Sequence, residues 1–503
     1  MQQSLYIDIL NGSYMKKHLV IVGFDDIIAD KYMETIEQAI LDGHINGYSI
    51  IDLFSNQKWI EQKLQKVNVQ PELKYFITVS KNKNKWADRD GFQPIFNEII
   101  KKKGEIKVYI AAELKAHEEY LQYCVENDID SLTEKPIFSP IKNCKFDPSL
   151  IDKKMKYFLS LVQKSSAKHS ITSLARYHSI YNDKVIDKIK ECILKYDTPL
   201  TSLHLRFSAG VWNTHVEYEN REDHPYKYGY GMLMHGAYHY VDVIAQLLLL
   251  NYLIFPHDTL QFTLSSYGGF PGDQNDRISK KYSALLGDNK PDWSDKSKHK
   301  TDYGETDIVT SFQLFNVTTN KMITLGTMSF EQTTPSIRTW KDIPVEIYNK
   351  NGRTACADLE AQLSTLFSLN LKCFDMPIKD EIDHIKAFAR IETRANAPLL
   401  EDEKFYEKEE YNNVSHNISN RELIGNWLAG KEEKSTLQNH FIVMKILQSL
   451  AESIRNPGYP IAFNFTEYAM KSGIKTYGNI NTLNNAIVPK TSKMLGKFFF
   501  IFR

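Results

Sequence analysis

The stretch His18-Leu19-Val20-Ile21-Val22-Gly23-Phe24-Asp25-Asp26-Ile27-Ile28 decides how the rest of the chain reads. Residues 18–23 form a short apolar, β-branched run that ends in glycine, as a strand buried on both faces of a parallel sheet does. A helix is predicted over 27–41, because Ile28, Tyr32, Ile36 and Ile40 recur at helical spacing. Strand, glycine turn and helix are the usual cradle for a dinucleotide. The glycines permit the tight turn and close backbone approach, and the helix N-terminus receives the pyrophosphate. Only the first glycine of the G-x-G-x-x-G pattern is present; Asp25 and Ile28 hold the other two places. A carboxylate at Asp25 repels a pyrophosphate unless it turns away. An ordinary strand–helix turn explains this stretch at least as well.

Outward from it, strands and helices alternate. Strands are predicted at 48–51 (running into Asp52), 75–79, 108–112 and 130–133, with helices at 92–102 and 115–127. After Pro136 a helix at 148–164 and a strand at 170–175 complete the unit. Such alternation implies a doubly wound parallel sheet. From Leu200 the character changes. Strands at 203–207, 260–265, 309–315 and 323–330 follow one another without regular helices between them, which implies a larger, mostly antiparallel open sheet with helices on one face. The expected fold is thus α/β, a doubly wound N-terminal domain of Rossmann dinucleotide-binding type (16–176) followed by an α/β domain with a large, mostly antiparallel open sheet (177–470). The second domain closes with a helix at 436–455 and a strand at 460–465. Insertions are expected near 268–307 and 400–420, an N-terminal extension at 1–15 with Met15 as the natural start, and a tail at 471–503. The Phe498–Phe502 run in that tail reads as a docking or oligomer contact.

Composition narrows the partners. Lys plus Arg and Asp plus Glu each total 62, so no net field attracts nucleic acid or an anionic membrane. The five cysteines are scattered and form no CxxC pair, which points to reduced thiols in a cytoplasmic protein. The longest apolar stretch, 244–255, is interrupted by Gln246 and Asn251 and is too short to span a bilayer.

Three further features carry chemistry. Asp52 at the end of the second strand can accept hydrogen bonds from the adenosine ribose hydroxyls and disfavours a 2′-phosphate, which favours NAD over NADP; a turn or capping Asp is the plain alternative. Glu134-Lys135-Pro136 follows a strand whose C-terminal edge faces the ligand crevice, where a lysine can stabilise an alkoxide; as a surface turn the same tripeptide is common. The apolar stretch 231–250 carries His235, His239, Asp242 and Gln246 at spacings that put all four on one face of a helix. Buried polar groups are costly unless paired or used. His235, His239 and Asp242 could also ligate zinc, although position 236 is Gly where the HExxH motif has Glu. Ahead of this helix, His224-Pro225-Tyr226-Lys227-Tyr228-Gly229-Tyr230-Gly231 could line a sugar pocket, with Trp212 and Asn213 as weaker candidates.

The run Val108-Tyr109-Ile110-Ala111-Ala112, His117, Cys124 and Thr133-Glu134-Lys135-Pro136, together with the helix bearing His239 and Asp242, resembles the glucose–fructose oxidoreductase/inositol dehydrogenase (Gfo/Idh/MocA) family. The resemblance covers about 16–465. It implies NAD bound by Gly23, Phe24, Asp52, Ala111, Glu134 and Lys135, with Lys135, His239 and His235 catalytic. Asp242, Arg176, Tyr228 and Lys227 are then expected at the substrate. Two departures stand out: Glu113-Leu114 replaces the family's Pro-Asn, and His235 replaces its first Asp. The implied activity is an NAD(P)-dependent sugar or polyol dehydrogenase without metal, assembled as a homo-oligomer through the C-terminal sheet. An NAD-dependent glycosidase of the same family and a cofactor-poor binding or scaffold protein are the alternatives.

Overall fold

The computed structural model describes residues 16–80, 87–222, 224–285, 303–336, 355–375, 387–432 and 434–474. The expectations placed on 1–15 and on all but the start of the C-terminal tail lie outside them.

Six strands, β1 (His18–Val22), β2 (Tyr48–Leu53), β3 (Leu73–Ile77), β4 (Ile106–Ile110), β5 (Asp130–Thr133) and β6 (His169–Ile171), form a parallel sheet in the order β3-β2-β1-β4-β5-β6. Every residue of β1 and β4 is buried, which is why they are legible as unbroken apolar runs. The strand order reverses between β1 and β4, and the crevice beyond their carboxyl ends is where open α/β sheets place ligands. Helices α1 (Met33–Leu41), α2 (Gln57–Leu64), α3 (Arg89–Lys103), α4 (His117–Glu126) and α5 (Ile151–Val162) belong to this layer. Phe92 and Phe96 of α3 pack their rings against Tyr120 and Tyr123 of α4.

Boundaries moved in places. β3 and β4 begin two residues earlier than 75 and 108, and β6 gives way to a tight turn at Leu174–Arg176 instead of continuing to 175. Helix α6 (Asp187–Tyr196) precedes the second sheet.

The second sheet has nine strands: β7 (Ser202–Ser208), β8 (Leu260–Gly269), β9 (Asp307–Asn316), β10 (Lys321–Glu331), β11 (Ala355–Leu363), β12 (Phe367–Asp375), β13 (Phe388–Ala395), β14 (Tyr406–Asn412) and β15 (Ile461–Asn464). Their order is β14-β13-β12-β11-β7-β10-β9-β8-β15, antiparallel throughout except for the β7–β10 pair. β11 alternates buried and half-buried residues along its length, the mark of a sheet with one face packed and one open. Helices α7 (Ala237–Leu249) and α9 (Phe441–Arg455) cover the packed face.

Residues 400–420, read as an acidic insertion, instead hold the edge strand β14 and the start of α8 (His416–Leu428). The strand is almost wholly exposed, so its sequence, YEKEEYN, lacks an apolar face. Helix α8 returns to the first domain: Leu423, Ile424, Trp427 and Leu428 share a buried cluster with Ile28, Tyr32 and Ile36. The buried Lys107 of β4 donates to the carbonyls of Trp427 (2.9 Å) and Leu428 (3.1 Å), capping the C-terminus of α8 with a cation. Among the described residues, no helix is long and apolar enough to cross a membrane.

Candidate active site

Gly23 ends β1 with φ +85°, a left-handed conformation that a side chain disfavours. A Cβ there would also stand 2.5 Å from Ala112 Cα and 2.8 Å from the Ala111 carbonyl carbon. The Ala111 amide donates to the Val22 carbonyl at 2.8 Å, which lays this backbone across the turn. Phe24 is buried against the α1 cluster, and its amide donates to Asp52 Oδ2 at 2.6 Å. Asp52 Oδ1 accepts from the Leu53 amide (2.6 Å) and from Asn56 Nδ2 (2.8 Å). Burial raises the Asp52 carboxyl above its ordinary range against these three hydrogen bonds. Asp52, expected to contact a ribose, therefore tethers the glycine turn.

Asp25 Oδ1 accepts from the Ile28 amide (2.9 Å) and its carbonyl from the Ala29 amide (2.9 Å). It caps, from the chain itself, the helical stretch 26–32 that runs into α1, the end that the full glycine pattern leaves to a pyrophosphate. Against a nicotinamide dinucleotide, the tight Gly23 turn at the switch point and the Glu134–Lys135 edge after the neighbouring strand β5 fit. Asp25 is a mismatch, because its carboxylate holds one of the donors a phosphate would use.

Glu134 is fixed at both oxygens. Its Oε1 accepts from the Tyr109 hydroxyl and its Oε2 from the Thr172 hydroxyl, each at 2.7 Å. Burial and the neighbouring Glu134 charge push the Tyr109 phenol well up, so it stays a neutral donor. The Lys135 amide donates to Thr172 Oγ1 (3.2 Å), and its Nζ reaches across the domain junction to the His235 carbonyl (3.2 Å).

The helix expected over 231–250 is broken at its start. A tight turn spans Met232–Met234, His235 has φ −111° and ψ −102°, and α7 begins only at Ala237. Glu305 explains the turn: its carbonyl accepts from the Met232 amide (2.7 Å) and its Oε1 from the Leu233 amide (2.9 Å). Burial pushes the Glu305 carboxyl up to about 7. Gly231 permits the close pass, since a Cβ there would stand 2.2 Å from the Glu305 amide nitrogen. His235 is consequently off the helical stripe. Its ring stacks with those of His224 (4.4 Å) and Tyr226 (5.2 Å), and its Nε2 lies 3.0 Å from the Tyr230 carbonyl. A carbonyl only accepts, so Nε2 carries a proton and, in the neutral ring, Nδ1 is the basic nitrogen.

Asp242 and Arg176, expected at the substrate, are instead paired with each other. Arg176 Nη2 donates to Asp242 Oδ1 at 2.7 Å, its Nε to Oδ2 at 2.9 Å, and the Ser173 hydroxyl to Oδ2 at 2.6 Å. Asp242 is completely buried. Burial alone would raise its carboxyl, but the Arg176 guanidinium brings it below the ordinary range. Lys227 and Tyr228 also differ from expectation: both turn to Glu222, which also holds the buried Lys115 at 2.8 Å. The turn at Tyr226–Tyr228 rotates Tyr226, not its neighbours, inward.

A cavity of about 210 Å³ lies between the domains. Glu134, Lys135 and Thr172 line it from the first domain, and His235, His239 and Tyr240 from the second. It thus brings together Glu134, Lys135, His235 and His239, while Gly23, Phe24, Asp52, Ala111, Arg176, Asp242, Lys227 and Tyr228 lie outside its lining. Sequence reasoning placed Asn213 only as a weak candidate and missed Arg221, Gln332, Tyr32 and Asn420, all in the wall. Arg221 and Gln332 sit in segments without a motif. Asn420, whose amide donates to the Tyr32 hydroxyl at 2.7 Å, comes from the part of α8 read as insertion. Among the described residues no group of three His, Cys, Asp or Glu side chains could hold a metal ion, so the zinc reading has no ligand set there.

No family model matches the chain, and no curated protein matches it. Solved structures do. A Thermotoga maritima protein designated an oxidoreductase aligns with TM-score 0.50 at 12% identity, covering 89% of this chain and 100% of its own. An Agrobacterium radiobacter oxidoreductase, solved with NAD+, L-tartaric acid and magnesium, aligns at TM-score 0.49 and 11% identity over 90% of this chain and 99% of its own. The WlbA dehydrogenase of Bordetella pertussis, solved with NADH and UDP-GlcNAcA, aligns at TM-score 0.48 and 11% identity over 89% and 99%. The likeness to the first is one of fold: a Rossmann domain followed by a large, mostly antiparallel sheet.

Proposed function

We propose that this chain is a divergent member of the glucose–fructose oxidoreductase/inositol dehydrogenase family, a nicotinamide-dependent oxidoreductase acting on a hydroxyl-bearing carbon of a sugar, sugar derivative or cyclitol. The observation that carries the reading is that Lys135, from the carboxyl edge of a parallel strand, and His239, from a helix of the other domain, line one cavity. Gly23 and Ala111 would shape the turn that approaches the nucleotide, Asp52 and Phe24 would support it, and Glu134 would border the nicotinamide. The cofactor, when bound, accepts or returns the hydride. The Lys135 ammonium stabilises negative charge on the substrate oxygen. His239 withdraws the hydroxyl proton, and His235, with Nε2 fixed on Tyr230, offers Nδ1 as a relay. NAD is favoured over NADP because the Asp52 carboxylate that tethers the glycine turn at the end of β2 would also repel a 2′-phosphate brought there. Assembly through the open face of the nine-stranded sheet completes the proposal.

A second reading draws on Asp25. A helix N-terminus already capped by a carboxylate suits a cofactor-poor binding protein with the same fold. Direct titration of purified protein with NAD(H) and NADP(H), paired with analysis of nucleotide released on denaturation, separates the two. Bound or saturable NAD(H) is expected; no binding of either nucleotide would displace the oxidoreductase reading in favour of the second.

A further inference from the structure

Tyr32 and Asn420 meet across the domain junction in the cavity wall, Tyr32 from the helical stretch Ile28–Tyr32 and Asn420 from α8. Asn420 Nδ2 donates to the Tyr32 hydroxyl at 2.7 Å. An amide N–H only donates, so the phenol oxygen is the acceptor in this bond and its own proton points elsewhere. Among the described residues no group accepts that proton, although Tyr32 is only 3% exposed. Asn420 Oδ1 is buried and likewise has no partner among them. Burial, and after it the Glu134 charge, pushes the Tyr32 phenol well up, so it remains a donor. Thr172 and Gln332, in the same wall, have both roles filled. Thr172 donates to Glu134 and accepts from the Lys135 amide, while Gln332 accepts from Tyr226 and donates to Tyr218. Tyr32 and Asn420 are also held in place. Arg421 Nε donates to the Lys31 carbonyl at 2.7 Å, and Leu423, Ile424 and Trp427 share a buried cluster with Ile28 and Tyr32.

We propose that Tyr32 and Asn420 form one binding pair, a residue from each domain, for an uncharged group that accepts and donates side by side, as the carboxamide of a nicotinamide or a hydroxyl of a sugar does. The Tyr32 hydroxyl donates to the oxygen of that group, and Asn420 Oδ1 accepts from its N–H or O–H. A carboxylate or phosphate only accepts, and would meet Asn420 Oδ1 oxygen to oxygen. An ammonium only donates, and would leave the Tyr32 proton unpaired. Because the pair is fixed in advance, little ordering opposes the binding. The inference deepens the oxidoreductase reading and rests on the cavity assigned there, yet it requires no turnover.

Calorimetric titration of the full chain tests it, with NAD, with the acetylpyridine analogue of NAD (which keeps the carbonyl and lacks the amide N–H), and with glucose and myo-inositol in the presence and absence of NAD. If the pair takes the carboxamide, NAD binds about three- to tenfold tighter than the analogue, Tyr32→Phe weakens NAD by a similar factor, and Asn420→Ala removes the discrimination. If it takes a sugar hydroxyl, NAD and the analogue bind alike and both variants weaken the sugar by about that factor. Tyr32→Phe keeps the packed ring; should it not fold, Asn420→Ala and the analogue decide. No loss in either folded variant, loss in only one of two folded variants, or a wild type that binds none of these probes would each overturn the proposal. A sugar bound through the pair without any NAD(H) binding would sink only the redox reading. NAD bound equally by the wild type and both variants, with sugar binding also unchanged, would sink only this one.

Discussion

Asp242 and His239 lie one helical turn apart on α7, yet they serve different regions of the molecule. Asp242 is enclosed in a junction of paired polar groups: Arg176 and Ser173 on its carboxylate, Glu432 on Ser170 and Tyr177, and His440 between Tyr238 and Ser435. Of these bonds, those of Arg176 and Ser173 to Asp242 and of Ser170 to Glu432 join the first domain to the second. His239 faces the cavity with Lys135. A polar residue on an apolar helix therefore says only that something must meet it. Whether it stabilises or reacts is decided by what lies opposite, and for Asp242 that is a guanidinium 66 residues earlier in the chain.

Substitutions can break this contrast from either side. Lys135→Ala or His239→Ala should lower turnover by about a hundred- to ten-thousand-fold, the scale of a lost positioned acid–base group. Thermal melting should show both variants folded. Asp242→Ala should do the reverse, costing about 3–5 kcal/mol by leaving Arg176 buried without its counter-charge. Urea titration measures it, and a cost under about 1 kcal/mol would return Asp242 to the candidate ligands.

The junction also predicts a pH dependence. Burial holds His440 down to about 3 and His169 to about 4, below the about 6.5 of an unfolded histidine. As pH falls below 6.5 the unfolded chain takes protons that the folded chain refuses. Each histidine therefore removes up to about 1.4 kcal/mol of stability per pH unit, down to its folded value. Asp242, held below the ordinary carboxyl range by Arg176, adds a further loss below about pH 4. Stability measured at about pH 7, 6 and 5 should decline steadily, and a flat profile would contradict the buried neutral rings. The smallest effect belongs to the turn after β1. Asp25→Asn keeps a good N-cap and removes a charge, so stability should stay within a few tenths of a kcal/mol while NAD(H) binds several-fold tighter.

Much of the fold was legible because β1, β4 and β5 are buried runs, and the change to alternating strands after Leu200 announced a second sheet. The outer strands were not. β14 is almost wholly exposed and reads as loop, and the helix that follows, α8, shows little amphipathic contrast because it is polar where it meets solvent and Tyr32 alike. In the site, Glu134-Lys135 and His239 came from motif and spacing. The break before Ala237 did not, because its cause, Glu305, lies some 70 residues away (Leu233 to Glu305 spans 72). Nor could spacing tell Tyr226 from Tyr228, since which ring turns inward depends on one tight turn.

The central claim is that Lys135 and His239 work on one substrate carbon beside a nicotinamide. The most direct test follows nicotinamide absorbance while the wild-type chain, Lys135→Ala and His239→Ala are each mixed with NAD and a panel of neutral and acidic sugars and cyclitols. The account predicts reduction of NAD by the wild type with at least one member of the panel, and about a hundredfold or more slower reduction by either variant. Turnover undiminished in both variants, or a wild type that neither binds nor reduces NAD, would contradict it.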